Sequence, residues 1–459
     1  MSHPPHDHAP LLPYGCYTPS SLPPPPALPS ALGTLLLDLR GAPCNHQIRA
    51  LVLDCQTLSA TPKEEKRTRK ALAKAVASRC AKLVRAAADP AACLVHVYLP
   101  ADTMAATDGL LAASFLDVGC AKIVLDVTLD ASAADLAADL APLDACRLPP
   151  SRVVAALPFS SLPSLPPAAL LPLAAELLVE LPAADPPSPG ALRALVPPSF
   201  LLTALAPPSA SAALLSSYLS ARHPSSSSVR LCLPSPPPAL LAGLWVSCAR
   251  TDRPDGLFAT VVTTRAGVAL GLVYSSAESL VAAVESGRGV YYSRSRGGLW
   301  RKGDTSGCYQ TLHRVDLDCD GDALRVMVTQ KGEPPAFCHL GALTCWGGGL
   351  GLEHLEGTLK ERLASAPEGS YTKRLFEDEG LLRNKLLEEA QELVEATEKR
   401  HVAEELADVL YFAMVRAVKA GVSIDDAVAV LDERSRKVTR RPGNEKQFRI
   451  DAANEALKK

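Results

Sequence analysis

Proline divides this chain more sharply than any other residue. Of its 40 prolines, 35 fall in residues 1–250 and five after. Proline breaks helix interiors and central strands, so any elements before residue 250 must be short. Short elements are what the sequence offers there. GTLLLDL, IRALVLD, CLVHVYL, AKIVLDV and SRVVAAL read as buried strands, and Glu64–Ala88 as a basic amphipathic helix. Alternating strands and helices predict an α/β domain with a parallel sheet over residues 31–239. It shows no glycine-rich phosphate loop, metal cluster or nucleophile motif, and its role is unassigned. Residues 1–30, rich in proline and carrying histidines, are expected to be disordered. LPSPPP (233–238) reads as a linker at the end of this domain.

After residue 250 the pattern turns to β over 240–348, then to charged Leu/Ala helices over 353–442, with a tail at 443–459. The expected fold is therefore multidomain: N-terminal α/β, central β-rich, C-terminal all-α. A length of 459 residues fits several cores rather than one. The net charge of −2 gives no reason to expect nucleic acid or membrane as partner. The start, MSHPPHDHAP, lacks a basic segment followed by an apolar run, and no window has the uninterrupted apolar length of a membrane helix. A cytoplasmic protein is the expectation. The 13 cysteines are odd in number, as expected of reduced thiols.

In the β-rich part, LDCDGDALRV reads as a strand. Its alternate residues Asp316, Asp318, Asp320 and Asp322 would share one face, about 6.6–7 Å apart. Such crowding suits a hard cation such as Mg²⁺; a solvated acidic strand edge would read the same way. Cys319 would face the other way as a core thiol, were it not for CHLGALTC, which adds Cys338 and Cys345 with His339 between them. Three thiolates leave one position of a tetrahedral Zn²⁺ free, the arrangement that lowers the pKa of a bound water to about 7. Two unrelated buried cysteines remain the alternative. In SRSRGGLWRKGDTSG (293–307), Arg294, Arg296, Arg301 and Lys302 precede glycines and the hydroxyls of Thr305 and Ser306. That mixture suits a phosphate, or an ordinary exposed basic hairpin.

TDRPDGL, GVYYSRSRGGLWRKGDTSG, DCDGD and CHLGALTC, in this order, resemble phosphoribosyl-AMP cyclohydrolase over about 100 residues. The resemblance implies Mg²⁺ on Asp318, Asp320 and Asp322, and Zn²⁺ on Cys319, Cys338 and Cys345. It also implies a homodimer whose zinc ligands come from both chains. The reaction it implies adds water at C6 of an adenine ring and opens the N1–C6 bond, with His339 placed to shuttle the proton. Arg294, Arg296, Trp300, Lys302, Thr305 and Ser306 become the expected substrate- and phosphate-binding set. Trp346 stands where the family usually has phenylalanine, and Asp316 has no family role.

In the helical part, RNKLLEEAQELVEATEK carries Glu388, Glu392 and Glu395 at i, i+4 and i+7 with Glu389 close by, and EELADVLYFAMVRAV carries Glu405 and Asp408 at i and i+3. Helical spacing gathers each set on one face. Asp408 lies in an apolar run where an unpaired carboxylate would be unfavourable. A cation between the two helices would relieve both clusters; exposed acidic faces are the plainer reading. The segment from EGTLKERL to FAMVRAV resembles phosphoribosyl-ATP pyrophosphohydrolase over about 90 residues. That resemblance implies Glu388, Glu389, Glu392, Glu405 and Asp408 as Mg²⁺ ligands, with Glu389 catalytic. SYTKRL (370–375) would lie near substrate, Lys385 would pair with a phosphate, and KVTRR (437–441) would add basic charge.

The two implied reactions are consecutive. With RTDRPDGLF, GLVYSS and KVTRR, the order of parts is similar to the fungal trifunctional histidine-biosynthesis family. Those proteins continue into a histidinol dehydrogenase; the chain stops at Lys459, so that activity is expected to be absent. Two competing readings stand beside this one. One is a nucleotide-cleaning pyrophosphohydrolase with a purely structural zinc module. The other is a catalytically dead scaffold, which would show gaps in the ligand sets.

Overall fold

The computed structural model describes residues 14–17, 34–38, 94–99, 110–127, 148–164, 167–220, 229–347, 351–435 and 437. Residues through Phe337 form one compact unit and Cys338–Leu431 a second.

The first unit opens with eight parallel strands: β1 (Tyr14–Tyr17), β2 (Thr34–Asp38), β3 (Leu94–Leu99), β4 (Lys122–Asp126), β5 (Val153–Pro158), β6 (Glu176–Glu180), β7 (Leu201–Leu205) and β8 (Arg230–Pro234). They follow in sequence order, and β8 pairs back onto β1, closing a barrel. The α/β reading holds at that level, and closure is the new finding. It depends on β1, which lies inside the segment expected to be disordered. Cys16 of β1 is buried in the core with Tyr98, Val124, Val154, Ala156, Leu178 and Cys232. IRALVLD, the helix Glu64–Ala88 and the tail 443–459 lie outside the described residues.

A buried carboxylate occupies the strand starts. Glu176 accepts from Lys122, accepts at 3.0 Å from the Thr203 hydroxyl, and has Arg230 3.8 Å away. Burial opposes its charge, but those two cations hold its carboxyl down at about 2. Burial keeps nearby His96 neutral, at about 3.

The unit continues as a six-stranded sheet: β9 (Phe258–Thr263), β10 (Ala269–Ser275), β11 (Val290–Ser293), β12 (Gly298–Arg301), β13 (Gln310–Leu317) and β14 (Ala323–Gln330), in the order β12-β11-β10-β9-β14-β13. Only β14 and β9 run parallel; the other pairs are antiparallel. Period-two alternation is plain in β14. Leu324, Val326 and Val328 are buried while Arg325 is exposed. A helix, Ala277–Ser286, packs on β11. Ser276 and Ser279 form its capping box, and Gly287 ends it at φ +61°. The opposite face of the sheet leaves Val261, Leu272 and Leu299 exposed.

The second unit is helical: Gly351–Ser365, Tyr371–Glu377, Glu379–Glu395, Lys399–Lys419 and Ile424–Ser435. Its core gathers Leu359, Leu375, Phe376, Leu382, Phe412, Met414, Val415 and Val418. Asp378 caps the third helix by accepting from the Leu381 amide at 2.9 Å. Thr372, in the SYTKRL segment, bonds Arg362 and the Tyr411 hydroxyl at 3.1 and 3.0 Å. Among the described residues, no helix is long and apolar enough to cross a membrane.

Candidate functional sites

Asp318, Asp320 and Asp322 lie in a five-residue loop between β13 and β14, not in a strand. Their alternation is therefore not what unites them. Gly321 takes φ +85°, a conformation that turns the chain back. Asp318 fixes the loop. Its Oδ1 accepts from the amides of Gly321 and Asp322 at 2.9 Å and of Ala323 at 3.1 Å. Folding thus draws one oxygen from each of the three carboxylates to within 4.8 Å of the others. Burial works against the Asp318 charge, yet the three amides pull its pKa below the ordinary range. Asp322 goes the other way, raised chiefly by Asp320 and also by Asp252. Such repulsion is what a bound divalent cation relieves, so the donor set fits Mg²⁺. Asp316 takes no part; it bonds Arg314 and Arg325.

Cys319 sits in the same loop and is exposed, contrary to its expected place on a buried face, because the loop ends the alternation. It belongs to the first unit, whereas Cys338 and Cys345 belong to the second. The trio is therefore not a group within either unit. The CHLGALTC segment is a tight turn, with the Cys338 amide donating to the Ala342 carbonyl at 3.0 Å. The Leu340 amide points at the Cys338 sulfur at 3.5 Å. His339 is exposed, its Nδ1 3.9 Å from the same sulfur.

The basic hairpin separates into two kinds of residue. Arg294, Arg296, Thr305 and Ser306 are exposed. Lys302 is not. It is 5% exposed, and its ammonium donates to the carbonyls of Cys308 and Ala336 at 3.3 and 3.2 Å. Its place corrects the expectation of a phosphate-facing lysine: it ties the hairpin to the segment leading to CHLGALTC. Trp300 packs against Tyr291 with ring centroids 5.9 Å apart and the planes tilted by 55°. The loop itself requires Gly303. Its φ is +95°, and a Cβ there would lie 2.4 Å from the Tyr309 backbone.

In the helical unit, helices Glu379–Glu395 and Lys399–Lys419 pack together and gather Glu389, Glu392 and Glu405, again with one oxygen of each within 4.8 Å of the others. Glu389 and Glu405 are buried. Glu405 Oε1 takes a 3.1 Å contact from His401, while Oε2 is buried without a partner. An orphaned carboxylate oxygen beside two more carboxylates is a donor set that fits Mg²⁺. Burial, then Glu389 and Glu405, raises the Glu392 carboxyl. Lys385 spans Glu389 at 2.7 Å and Glu388 at 3.0 Å, and those bonds raise its pKa. Its charge here faces the carboxylates rather than open solvent. Glu388 and Asp408 fall outside the trio. Asp408 is exposed, so its apolar sequence neighbours did not imply burial. His401 and the ion pair of Arg253 with Asp255 escape sequence reading, because neither stands in a metal-like spacing.

Comparison with known proteins separates the same two carboxylate sites but sets the boundary after residue 347, which puts Cys338 and Cys345 with the sheet. Residues 271–347 match the phosphoribosyl-AMP cyclohydrolase family and 352–435 the phosphoribosyl-ATP pyrophosphohydrolase family. The histidine biosynthesis bifunctional protein his7 of Schizosaccharomyces pombe is 53% identical over 206 residues, 45% of this chain and 49% of that protein. The histidine biosynthesis trifunctional protein of Saccharomyces cerevisiae is 50% identical over 198 residues, 43% of this chain and 24% of that protein. The match thus spans half or less of these fungal relatives. The histidine biosynthesis bifunctional protein HisIE of Pyrococcus furiosus is 34% identical over 198 residues, 40% of this chain and 93% of that protein. By fold and site the chain joins a cyclohydrolase domain to a pyrophosphohydrolase domain. It belongs to the histidine-biosynthesis family that carries both domains on one polypeptide.

Proposed function

We propose that the chain catalyses two consecutive hydrolyses: phosphoribosyl-ATP to phosphoribosyl-AMP and pyrophosphate, then opening of the adenine ring of phosphoribosyl-AMP at N1–C6. The observation that carries the reading is the pairing of both domains on one chain, each with a gathered carboxylate trio. In the helical unit, Glu389, Glu392 and Glu405 would hold Mg²⁺, with Glu388 and Asp408 entering as further ligands when the triphosphate binds. Bound there, the ion would neutralise the triphosphate charge and activate water. Glu389, which is buried, would orient that water. Lys385 would leave the carboxylates for a phosphate oxygen once the ion supplies their counter-charge.

In the sheet domain, Asp318, Asp320 and Asp322 would hold Mg²⁺, and Cys319, Cys338 and Cys345 Zn²⁺, drawn from two copies of the chain. Zinc held by three thiolates lowers the pKa of a bound water towards neutrality. His339 then takes the proton from the adding water and returns it to the departing ring nitrogen. Thr305 and Ser306, with the hairpin amides, would take one substrate phosphate, beside Arg296 and the ring of Trp300. A homodimer goes with zinc ligands drawn from two copies of the chain. A cytoplasmic site of action goes with this chemistry.

The test is the purified chain given phosphoribosyl-ATP. Cys338→Ser should stop ring opening and leave pyrophosphate release; Glu389→Gln should do the reverse. Loss of both steps in either folded variant would contradict separate sites.

A further inference from the structure

The substrate proposed for the sheet domain carries two phosphate esters, and the hairpin residues Thr305 and Ser306 are proposed above for one of them. A second cationic place lies on the neighbouring strand β10 and takes Arg294 from the same hairpin. Arg253 and Arg294 both sit over the ring of Tyr274, their guanidinium carbons 4.6 and 4.0 Å from its centroid. Two like charges on one ring need an anion, and only one is supplied. Asp255 takes Arg253 by two oxygens, at 3.0 and 2.6 Å, and also accepts from the Leu257 amide at 3.2 Å. Arg294 has no carboxylate partner among the described residues. A planar guanidinium fixed by a forked pair and a stack still presents donors at its edge, the geometry that suits phosphate.

The clamp also lies at a useful distance from the Asp loop. Ala323, Ala259, Tyr274 and Tyr292 are in register on four neighbouring strands, so their side chains share one face. Asp322 precedes Ala323, and Tyr274 is two strands away, roughly 10 Å at the usual strand spacing. The segment that bears Arg253 is itself fastened to that loop. Arg250 donates its amide to the Gly321 carbonyl at 2.7 Å and its guanidinium to the Asp320 carbonyl. A nucleotide with its base at the Asp loop could reach the clamp with its phosphate.

We propose that Arg253, held by Asp255 and stacked with Arg294 on Tyr274, binds the second phosphate ester of the cyclohydrolase substrate and sets specificity for it. The proposal rests on the ring-opening function proposed for the sheet domain, and two readouts keep the two apart. The first is ring opening of phosphoribosyl-AMP. Arg253→Ala should raise KM roughly ten- to hundredfold, as expected for losing a charged hydrogen bond, with kcat within about threefold of wild type. Pyrophosphate release from phosphoribosyl-ATP should not change. The second is calorimetric binding of ribose 5-phosphate, which Arg253→Ala should weaken by a similar factor. Arg253→Lys keeps the charge without the fork, and should raise KM several-fold; it decides the matter should the alanine variant not fold. Unchanged KM and unchanged ribose 5-phosphate binding in a folded variant would overturn the clamp. Wild-type protein that binds ribose 5-phosphate through Arg253 but never opens the ring would uphold the clamp and defeat the ring-opening function alone.

Discussion

Glu405→Gln should stabilise the helical unit without metal and destabilise it, relative to wild type, with metal. In the structure Glu405 is buried, His401 reaches one of its oxygens, and the other has no partner. A buried unsatisfied polar atom costs about 1–3 kcal/mol. The carboxylates of Glu389 and Glu392 lie within 4.8 Å, and Lys385 neutralises only Glu388 and Glu389. An amide at position 405 removes one of three crowded charges and can donate to a neighbouring carboxylate. A gain of about 1–2 kcal/mol results, which at this domain size is about 4–8 °C in Tm per kcal/mol. Mg²⁺ should add about 2.7 kcal/mol to wild type at one hundred times its Kd, and much less to the variant. Thermal melts of both proteins, in EDTA and in saturating MgCl₂, should therefore cross over. A variant less stable than wild type in EDTA, with wild type unmoved by Mg²⁺, would refute the metal assignment.

Gly303→Ala should destabilise the first unit by at least about 2 kcal/mol, since it adds both a left-handed penalty and a backbone clash; a melt within about 1 °C of wild type would argue against the loop geometry. Acid should weaken the barrel. Glu176 and His96 both have folded pKa values below their unfolded ones, at about 2 against 4.5 and about 3 against 6.5. The unfolded chain therefore binds protons first, and stability present near neutral pH falls as pH drops. Each group should add a slope of about 1.4 kcal/mol per pH unit, His96 between 6.5 and about 3 and Glu176 between 4.5 and about 2. Urea titrations of His96→Gln should show a shallower loss between pH 6.5 and 4.5, and an unchanged slope would count against a buried neutral histidine.

How much of this could be read in the sequence depends on whether a feature is local. The acidic motifs, the basic hairpin and the helical pairing of Glu389 and Glu392 with Glu405 rest on spacing along one or two elements, and spacing is visible. Period two misled at Asp318–Asp322, because a single positive-φ glycine converts the alternating run into a loop. Asp408 misled because apolar neighbours in sequence occupy other faces of the same helix. Lys302 looked like its exposed neighbours Arg294 and Arg296, and only the fold of the hairpin shows its ammonium bonded to backbone carbonyls. Barrel closure was out of reach, since it depends on a four-residue strand within a proline-rich segment pairing with one more than 200 residues away. The clamp on Tyr274 joins TDRPDGL, GLVYSS and SRSR, each visible in the sequence, but nothing in their spacing shows that Arg253 and Arg294 meet on one ring.

At the centre stands the claim that one chain runs two consecutive hydrolyses at two separate sites. Phosphoribosyl-ATP added to the purified 459-residue chain with Mg²⁺ and Zn²⁺, with chromatography of the nucleotides over time, tests it most directly. Pyrophosphate should come first, then a transient of phosphoribosyl-AMP, and then the ring-opened product. Pyrophosphate with phosphoribosyl-AMP accumulating unchanged, or no pyrophosphate at all, would contradict it.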